Sequence, residues 1–316
     1  MGLVSVNLSL SSSCNADCIF CPTDRGERIT PKIMPFDLAK KIVDEVGCRE
    51  FRKNHSVRKF EIGENGEAFL NPDVINILRY MKSSNPDIST RVFTNFQNLT
   101  KERSEIILRE GLLDSIFLNI DGHNSYNYYQ VKKLNLDVLI RNLNDFLALR
   151  RELRAKTSLT ILSLTLADYI CKIRDRLGFL PAKLHDQSLL NIPDDFTQIV
   201  EKWRELIDPK TDVIQRAGIV GWAERNRVDV AHINYQSYSC PNLQRVKEEC
   251  FVAPDGTWYA CCLDSNNELV LGNVAEESIL KLYRGEKRLR LIRLLENREF
   301  YKIGGPCRTV NCCQWL

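Results

Sequence analysis

The chain predicts an α/β fold built on parallel strands. Strand-like and helix-like segments alternate along most of its length, polar loops follow the strands, and cysteines crowd the two ends. Repeated strand-then-helix units imply parallel strands with right-handed crossovers, closed as a barrel or open as a doubly wound sheet. In either arrangement the chemistry sits at the C-terminal ends of the strands.

The elements follow in order. Val4, Val6, Leu8 and Leu10 alternate with Ser5, Asn7 and Ser9, the period of a strand. A helix starts near Phe36 with Leu38, Ile42, Val43 and Val46 on one stripe. Arg58 to Ile62 reads as a strand, and Asn71-Pro72 opens a helix whose apolar face is Val74, Ile77, Leu78 and Met81. Ile88 to Thr94 is a third strand, Thr100 to Glu110 a helix stopped by Gly111, and Ser115 to Ile120 a fourth strand. Asp137 is the expected cap of a helix carrying Leu139, Leu143, Phe146 and Leu147; Ser158 to Leu166 is a fifth strand. A helix over Thr197 to Ile207 and a weaker strand over Asp212 to Val220 complete this part, and residues from about Ala167 to Asp208 are less regular. From Tyr235 the pattern becomes a cysteine-rich hairpin, helices over Glu276 to Tyr283 and Glu286 to Glu296, and a Gly-Gly-Pro-Cys tail. The expected division is 1–234 and 235–316.

Composition narrows the function classes. Lys and Arg number 44 against 41 Asp and Glu, a net charge of +3 over 316 residues, without the clustered basic excess of a dedicated nucleic-acid binder. Apolar runs fall short of the roughly 18 residues of a membrane span, and the opening MGLVSVNLSL has no basic leader, so a cytoplasmic chain is expected. There, twelve cysteines point to metal or redox chemistry, because a reducing compartment gives structural disulfides little support. Only Cys48 and Cys171 lie between the two groups.

Cys14-x3-Cys18-x2-Cys21 brings three thiolates into one loop just past the first strand, ligands that suit iron-sulfur iron or zinc. A zinc knuckle would need a distant fourth cysteine; three in one loop fit a cube cluster with one iron left open. The spacing, with Phe20 just before the third cysteine, resembles the signature of the radical S-adenosylmethionine superfamily. The resemblance implies a partial (β/α)6 barrel and a [4Fe–4S] cluster on Cys14, Cys18 and Cys21. It further implies that the open iron chelates S-adenosylmethionine, whose reductive cleavage yields a 5′-deoxyadenosyl radical.

Further stretches resemble the family's cofactor-binding elements. Asn65-Gly66-Glu67-Ala68 stands for Gly-Gly-Glu-Pro, and Thr94-Asn95 for the Thr-Asn closing the third strand. Asn119-Ile120-Asp121-Gly122 stands for Ser-x-Asp-Gly, with Asn119 in place of serine. Phe20, Gly66, Glu67, Asn95, Asn119 and Asp121 are therefore the implied cofactor-binding residues. The bland reading of Glu64, Glu67 and Asp121 is loop acids or helix caps.

The second group places Cys240 and Cys261 at the ends of a hairpin that turns at Asp255-Gly256, and the following helices return the chain to Cys307 and Cys312. Four thiolates from such separate places complete a cluster with no open iron, or a zinc site. The run from Ala253 to Asp264, followed by Leu271-Gly272-Asn273-Val274, resembles the SPASM extension and its shorter twitch form with a single auxiliary cluster. The implied ligands are Cys240, Cys261, Cys307 and Cys312, with Cys262 and Cys313 as alternatives to their neighbours. Two [4Fe–4S] clusters and S-adenosylmethionine are thus the expected cofactors. Cys250 has two readings, a buried small hydrophobe or a thiol that returns a hydrogen atom to a substrate radical, as in the family's radical epimerases.

The resemblance implies hydrogen abstraction from an unactivated carbon, leading to epimerisation or alcohol oxidation. A sugar-like or aminocyclitol metabolite is the favoured substrate class, with ribosomal peptide modification as the alternative. An external one-electron reductant such as flavodoxin or ferredoxin is the implied partner. The reading from another class is a non-catalytic iron-sulfur electron carrier. His123, Tyr126, Tyr128, Tyr129 and Trp222 are either a barrel mouth or ordinary packing and surface residues.

Overall fold

The computed structural model describes residues 2–21, 31–63, 65–165, 196–218, 239–264 and 268–308. Glu64, Cys171, Trp222, Cys312, Cys313 and the expected boundary at 234/235 lie outside the described residues.

Among the described residues, nine strands form one sheet in the order β6-β5-β4-β3-β2-β1-β7-β8-β9. The first six, β1 (Ser5–Leu8), β2 (Lys59–Ile62), β3 (Ser89–Thr94), β4 (Ser115–Asn119), β5 (Ser158–Thr165) and β6 (Val213–Gly218), are parallel, each beside its chain neighbour. No reversal of strand order occurs among them, so the sheet is singly wound, as in a barrel wall; a doubly wound sheet needs a switch point. The expected partial barrel is the observed architecture.

Helices connect these strands: α1 (Phe36–Gly47), α2 (Arg49–Asn54), α3 (Val74–Ser84), α4 (Lys101–Glu110), α5 (Ser125–Lys132), α6 (Leu136–Glu152) and α7 (Phe196–Trp203). Val6, Leu8, Phe60, Ile62, Val92, Ile116, Leu118, Leu159 and Ile161 form one face of the sheet and are almost wholly excluded from solvent. The opposite face, the barrel lumen, is polar and aromatic. Glu61, Arg91 and Phe117 are linked across it by the Glu61–Arg91 ion pair at 2.9 Å and by Arg91 lying 4.6 Å over the Phe117 ring, and Asn7 on the same face donates to Glu249 at 3.2 Å. Every residue of β1 is buried although its side chains alternate, because the strand is covered on both faces.

Local chemistry sets the element ends. Thr100 caps α4 by accepting from Arg103 N–H at 3.4 Å, and Gly111 ends it in the left-handed conformation, as the sequence predicts. Two expected caps move. Asn135 rather than Asp137 caps α6, its Oδ1 accepting from Asp137 N–H at 2.8 Å. Asn71 does not open α3 directly: it accepts from Asp73 N–H at 2.8 Å, forming a turn one step before a helix that starts at Val74.

The cysteine-rich region continues the same sheet. Helix α8 (Leu243–Glu248) leads into β7 (Glu249–Val252), which pairs in parallel with β1, matching Ser5 to Glu249 and Val6 to Cys250. β8 (Thr257–Tyr259) and β9 (Val270–Asn273) follow antiparallel. Helices α9 (Ile279–Tyr283) and α10 (Glu286–Glu296) return the chain against the barrel, Leu280 N–H donating to Glu45 of α1 at 2.9 Å.

Candidate active site

The first cysteine group leaves the C-terminal end of β1. Ser11 turns the chain, its Oγ accepting from Ser13 N–H at 3.0 Å. Cys14 and Cys21 are half-buried and Cys18 is buried; all three thiols are free of disulfides. Cys21 N–H donates to Cys18 O at 3.0 Å, which folds the loop tightly. Two backbone bonds fasten this loop to the last turn of α5: Asp17 N–H to Lys132 O and Ile19 N–H to Val131 O, both 3.0 Å.

The ends of β2 and β3 converge on the same loop. Gly66 has φ +75°, and a Cβ there would fall 2.0 Å from Ser11 O, so only glycine permits this approach. Glu67 N–H then donates to Ser13 O at 2.8 Å. The buried Glu67 carboxylate accepts from Phe69 N–H at 3.2 Å, Thr94 Oγ1 at 2.9 Å and Asn95 N–H at 2.9 Å. Burial raises its pKa despite these donors. Glu67 is therefore the tie between two strand ends. Asn95 Nδ2 in turn donates to Asn15 Oδ1 at 2.8 Å and lies 3.7 Å from Cys14 Sγ.

Past the end of β4, Asp121 is buried and pairs with Lys132 at 2.7 Å. Lys132 Nζ lies 5.0 Å over the Phe20 ring. Gly122 lets α5 come this close, since a Cβ there would sit 2.4 Å from Tyr128 N. Burial pushes the Cys18 thiol up to about 11, and the Lys132 charge opposes that shift. Burial alone would lower the Lys132 ammonium, but Asp121 and Cys18 outweigh it and hold it protonated.

These contacts gather Cys14, Cys18, Cys21, Phe20, Gly66, Glu67, Asn95 and Asp121 at one end of the barrel, with Asn119 closing β4 beside them. Sequence reading does not find Lys132. Its helix, SYNYYQVK, carries no apolar stripe, and the available signal is the i, i+4 spacing of Tyr128 and Lys132 after Asp121-Gly122. Tyr128 is buried, whereas Tyr126 and Tyr129 stand exposed on α5.

A model of the radical SAM superfamily matches residues 8–163, and a model of the iron-sulfur cluster-binding domain SPASM matches residues 240–313. The chain belongs to the radical S-adenosylmethionine superfamily. Such a domain implies a [4Fe–4S] cluster and S-adenosylmethionine, and a SPASM domain implies further iron-sulfur binding. The residues present fit the first cluster, since three undisulfided thiols from one loop are soft ligands for its irons. A radical SAM enzyme replaces the electron-carrier reading.

Solved radical SAM structures share the fold. BtrN in complex with AdoMet and 2-DOIA superposes with a TM-score of 0.54 at 15% identity, over 97% of this chain and 92% of that one. Streptococcus suis SuiB bound to precursor peptide SuiA gives 0.65 at 14%, over 92% and 66%. The enzyme anSMEcpe with bound AdoMet and the Cp18Cys peptide gives 0.58 at 13%, over 98% and 88%. A comparison with curated proteins finds no match.

Among the described residues, Cys240, Cys261, Cys262 and Cys307 sit at the far end of the same strands. β8 runs against β7, so Cys261, just past its end, lies beside the start of β7 and β1. Cys261, Cys262 and Cys307 are buried and Cys240 is half-buried. Asn242 Nδ2 lies 3.9 Å from Cys261 Sγ, and Arg245 Nη1 is 2.7 Å from Cys262 Sγ. The neighbouring Cys262 lowers the Cys261 thiol. Ala260 N–H donates to Leu269 O at 3.0 Å, and a Cβ on Gly305 would meet Leu269 and Glu268, so the turn bearing Cys307 packs next to the strand that delivers Cys261.

Cys250 is not brought to either group. It alternates on β7 with Glu249, which accepts from Asn7 Nδ2 at 3.2 Å on the lumen face. Its own side chain is on the opposite face, fully buried, where Glu45 of α1 and Arg288 of α10 are its charged neighbours and burial pushes its thiol pKa well up.

Proposed function

We propose that this radical SAM enzyme oxidises a secondary alcohol of a small, sugar-like or aminocyclitol metabolite held in the barrel lumen. The observation that carries the reading is the lumen itself. Its polar side chains, Asn7, Glu61, Arg91, Glu249 and Arg245, lie between a cysteine group at one end of β1 and another at the opposite end. The strand itself, Ser5–Leu8, contributes about 10 Å of rise between the two ends. When bound, the first cluster and S-adenosylmethionine supply the radical that removes a hydrogen atom from the substrate carbon.

Conversion of a carbinol to a ketone releases that hydrogen atom, one proton and one electron. Cys240, Cys261, Cys307 and one of the tail cysteines, Cys312 or Cys313, would hold a single auxiliary cluster that would supply the acceptor for the electron, while a base would take the proton and the bound cofactor would supply the acceptor for the hydrogen atom. Epimerisation would need a hydrogen donor facing the lumen, and Cys250 faces the helix layer instead. The length shared with BtrN, 92% of that chain, supports a small ligand such as the 2-DOIA it binds. The peptide seen with SuiB supports the alternative of a ribosomal peptide substrate. A flavodoxin- or ferredoxin-like reductant would supply the electron for cofactor cleavage.

The test is anaerobic reconstitution, reduction in the presence of S-adenosylmethionine, and a panel of ring-deuterated polyols, aminocyclitols and peptides. Deuterium appearing in 5′-deoxyadenosine, with an equal yield of ketone, is expected from one of the polyols or aminocyclitols. Transfer only from a peptide, or an inverted alcohol as product, would overturn the reading.

A further inference from the structure

We propose that Lys132 is a positioning residue for the first cluster, a buried cation behind Cys18 that favours the reduced state, with Asp121 setting how much of its charge the cluster feels. The inference rests on the superfamily reading that Cys14, Cys18 and Cys21 hold that cluster, and on four further observations.

The side chains of Lys132 and Asp121 are almost wholly buried, and their ion pair is 2.7 Å long. Breaking such a pair strongly destabilises a fold, whereas replacing it whole with apolar groups is often neutral, so stability alone gives weak grounds for a charge here. The backbone of Lys132 accepts from Asp17 within the cysteine loop at 3.0 Å, fixing the helix turn against the ligands. Its Nζ stands 5.0 Å over Phe20, the residue before Cys21. Cys18, Asp121 and Tyr128 are its charged and titratable neighbours.

A cube of four irons and four sulfides held by three thiolates is anionic, and reduction adds another negative charge. A fixed cation within the same low-dielectric space stabilises the reduced form more than the oxidised one. The carboxylate of Asp121 opposes that effect. The pair therefore tunes the cluster from behind.

The experiment is an electron paramagnetic resonance redox titration of the reconstituted full chain without S-adenosylmethionine or substrate. A parallel sample with S-adenosylmethionine identifies the first cluster by its altered signal. Lys132→Met is expected to make reduction of that cluster at least tenfold less favourable, 59 mV for a one-electron couple. The auxiliary cluster should keep its midpoint in the same sample, Lys132→Arg should restore the first, and Asp121→Asn should shift it the opposite way. An unmoved first midpoint in Lys132→Met with full iron content overturns the inference, even if S-adenosylmethionine binding weakens, since the lysine then serves the cofactor. If Lys132→Met does not retain the cluster, Asp121→Asn decides, and an unmoved or lowered midpoint overturns it. Failure of the wild-type chain to bind any cluster on Cys14, Cys18 and Cys21 would sink the reading beneath it as well, a different result from a cluster with an unmoved midpoint.

Discussion

The two cysteine sites are made in opposite ways. The first draws all its thiols from one loop, Cys14 to Cys21, and the protein frames that loop with bonds from the ends of β2, β3 and α5. The second, as we propose it, would draw on Cys240, Cys261 and Cys307 from separate segments together with a tail cysteine that lies outside the described residues. A site gathered from distant segments leaves the chain entropy of closing those loops for the metal to offset, so bound metal contributes to folding there. The loop of the first site closes over few residues and is framed by hydrogen bonds from the protein. We therefore expect the first to be specialised for chemistry and the second to double as a staple.

Two substitutions break this comparison most directly. Cys18→Ala is expected to abolish formation of 5′-deoxyadenosine and remove about one cluster's worth of iron while leaving the melting temperature near that of the parent. Cys261→Ala is expected to remove the same amount of iron and lower the melting temperature as well. Equal melting temperatures in the two variants, measured by anaerobic calorimetry, would show that the second site is no staple.

Glu67 tests the frame. Glu67→Ala leaves the donors of Phe69, Thr94 and Asn95 without their acceptor, at about 1–3 kcal/mol for each buried group stranded. The expectation is a net loss of about 3 kcal/mol in denaturant unfolding together with weakened S-adenosylmethionine binding, and partial recovery in Glu67→Gln. Unchanged unfolding would mean that the loops are held by the backbone alone.

How far these sites are legible in the sequence follows from the same contrast. The cysteine loop is a contiguous motif, and the strands that position it carry clean period-two or continuous apolar patterns, so both are readable from local residues. Helix α5 is not, because its buried face includes Lys132 and a tyrosine, a composition that periodicity scores as loop. Helix α2 is missed for a similar reason, with Phe51 its only buried residue. At the second site the hairpin is legible from Asp255-Gly256, but the pairing of β7 with β1 is non-local, and with it the side of the sheet that Cys250 faces. The same pairing hides the joining of Asn7 to Glu249 and Arg245 across the barrel edge.

The seam between the two regions holds a pH-dependent contact. His55 Nδ1 accepts from Leu3 N–H at 3.1 Å, and its ring lies between Phe51 and Tyr283 of α9. Burial, with Arg284 and Arg288 nearby, lowers its pKa to about 4. The folded state disfavours the cation, so this contribution is complete above the unfolded value near 6.5 and is lost as pH falls toward 4. Between pH 7 and 5 the expected loss is about 2 kcal/mol. His55→Phe should be less stable at pH 7, having lost the acceptor for Leu3, yet should lack this part of the slope. Parallel stability curves for parent and variant would remove His55 as the cause.

Cys250→Ala is the smallest expected effect and the sharpest test of which face does chemistry. The thiol fills space between the sheet and the outer helices, so its removal leaves a cavity of about one atom and should lower stability by about 1 kcal/mol. Because Glu249 and Phe251, the neighbours that alternate with it, occupy the lumen face, the rate of 5′-deoxyadenosine formation and the yield of oxidised product should match the parent. A variant that consumes S-adenosylmethionine normally but no longer inverts a carbon centre that the parent inverts would place a hydrogen donor at this thiol. β7 would then have to rotate its pleat during turnover, breaking the pairing of Val6 with Cys250 that joins the two regions.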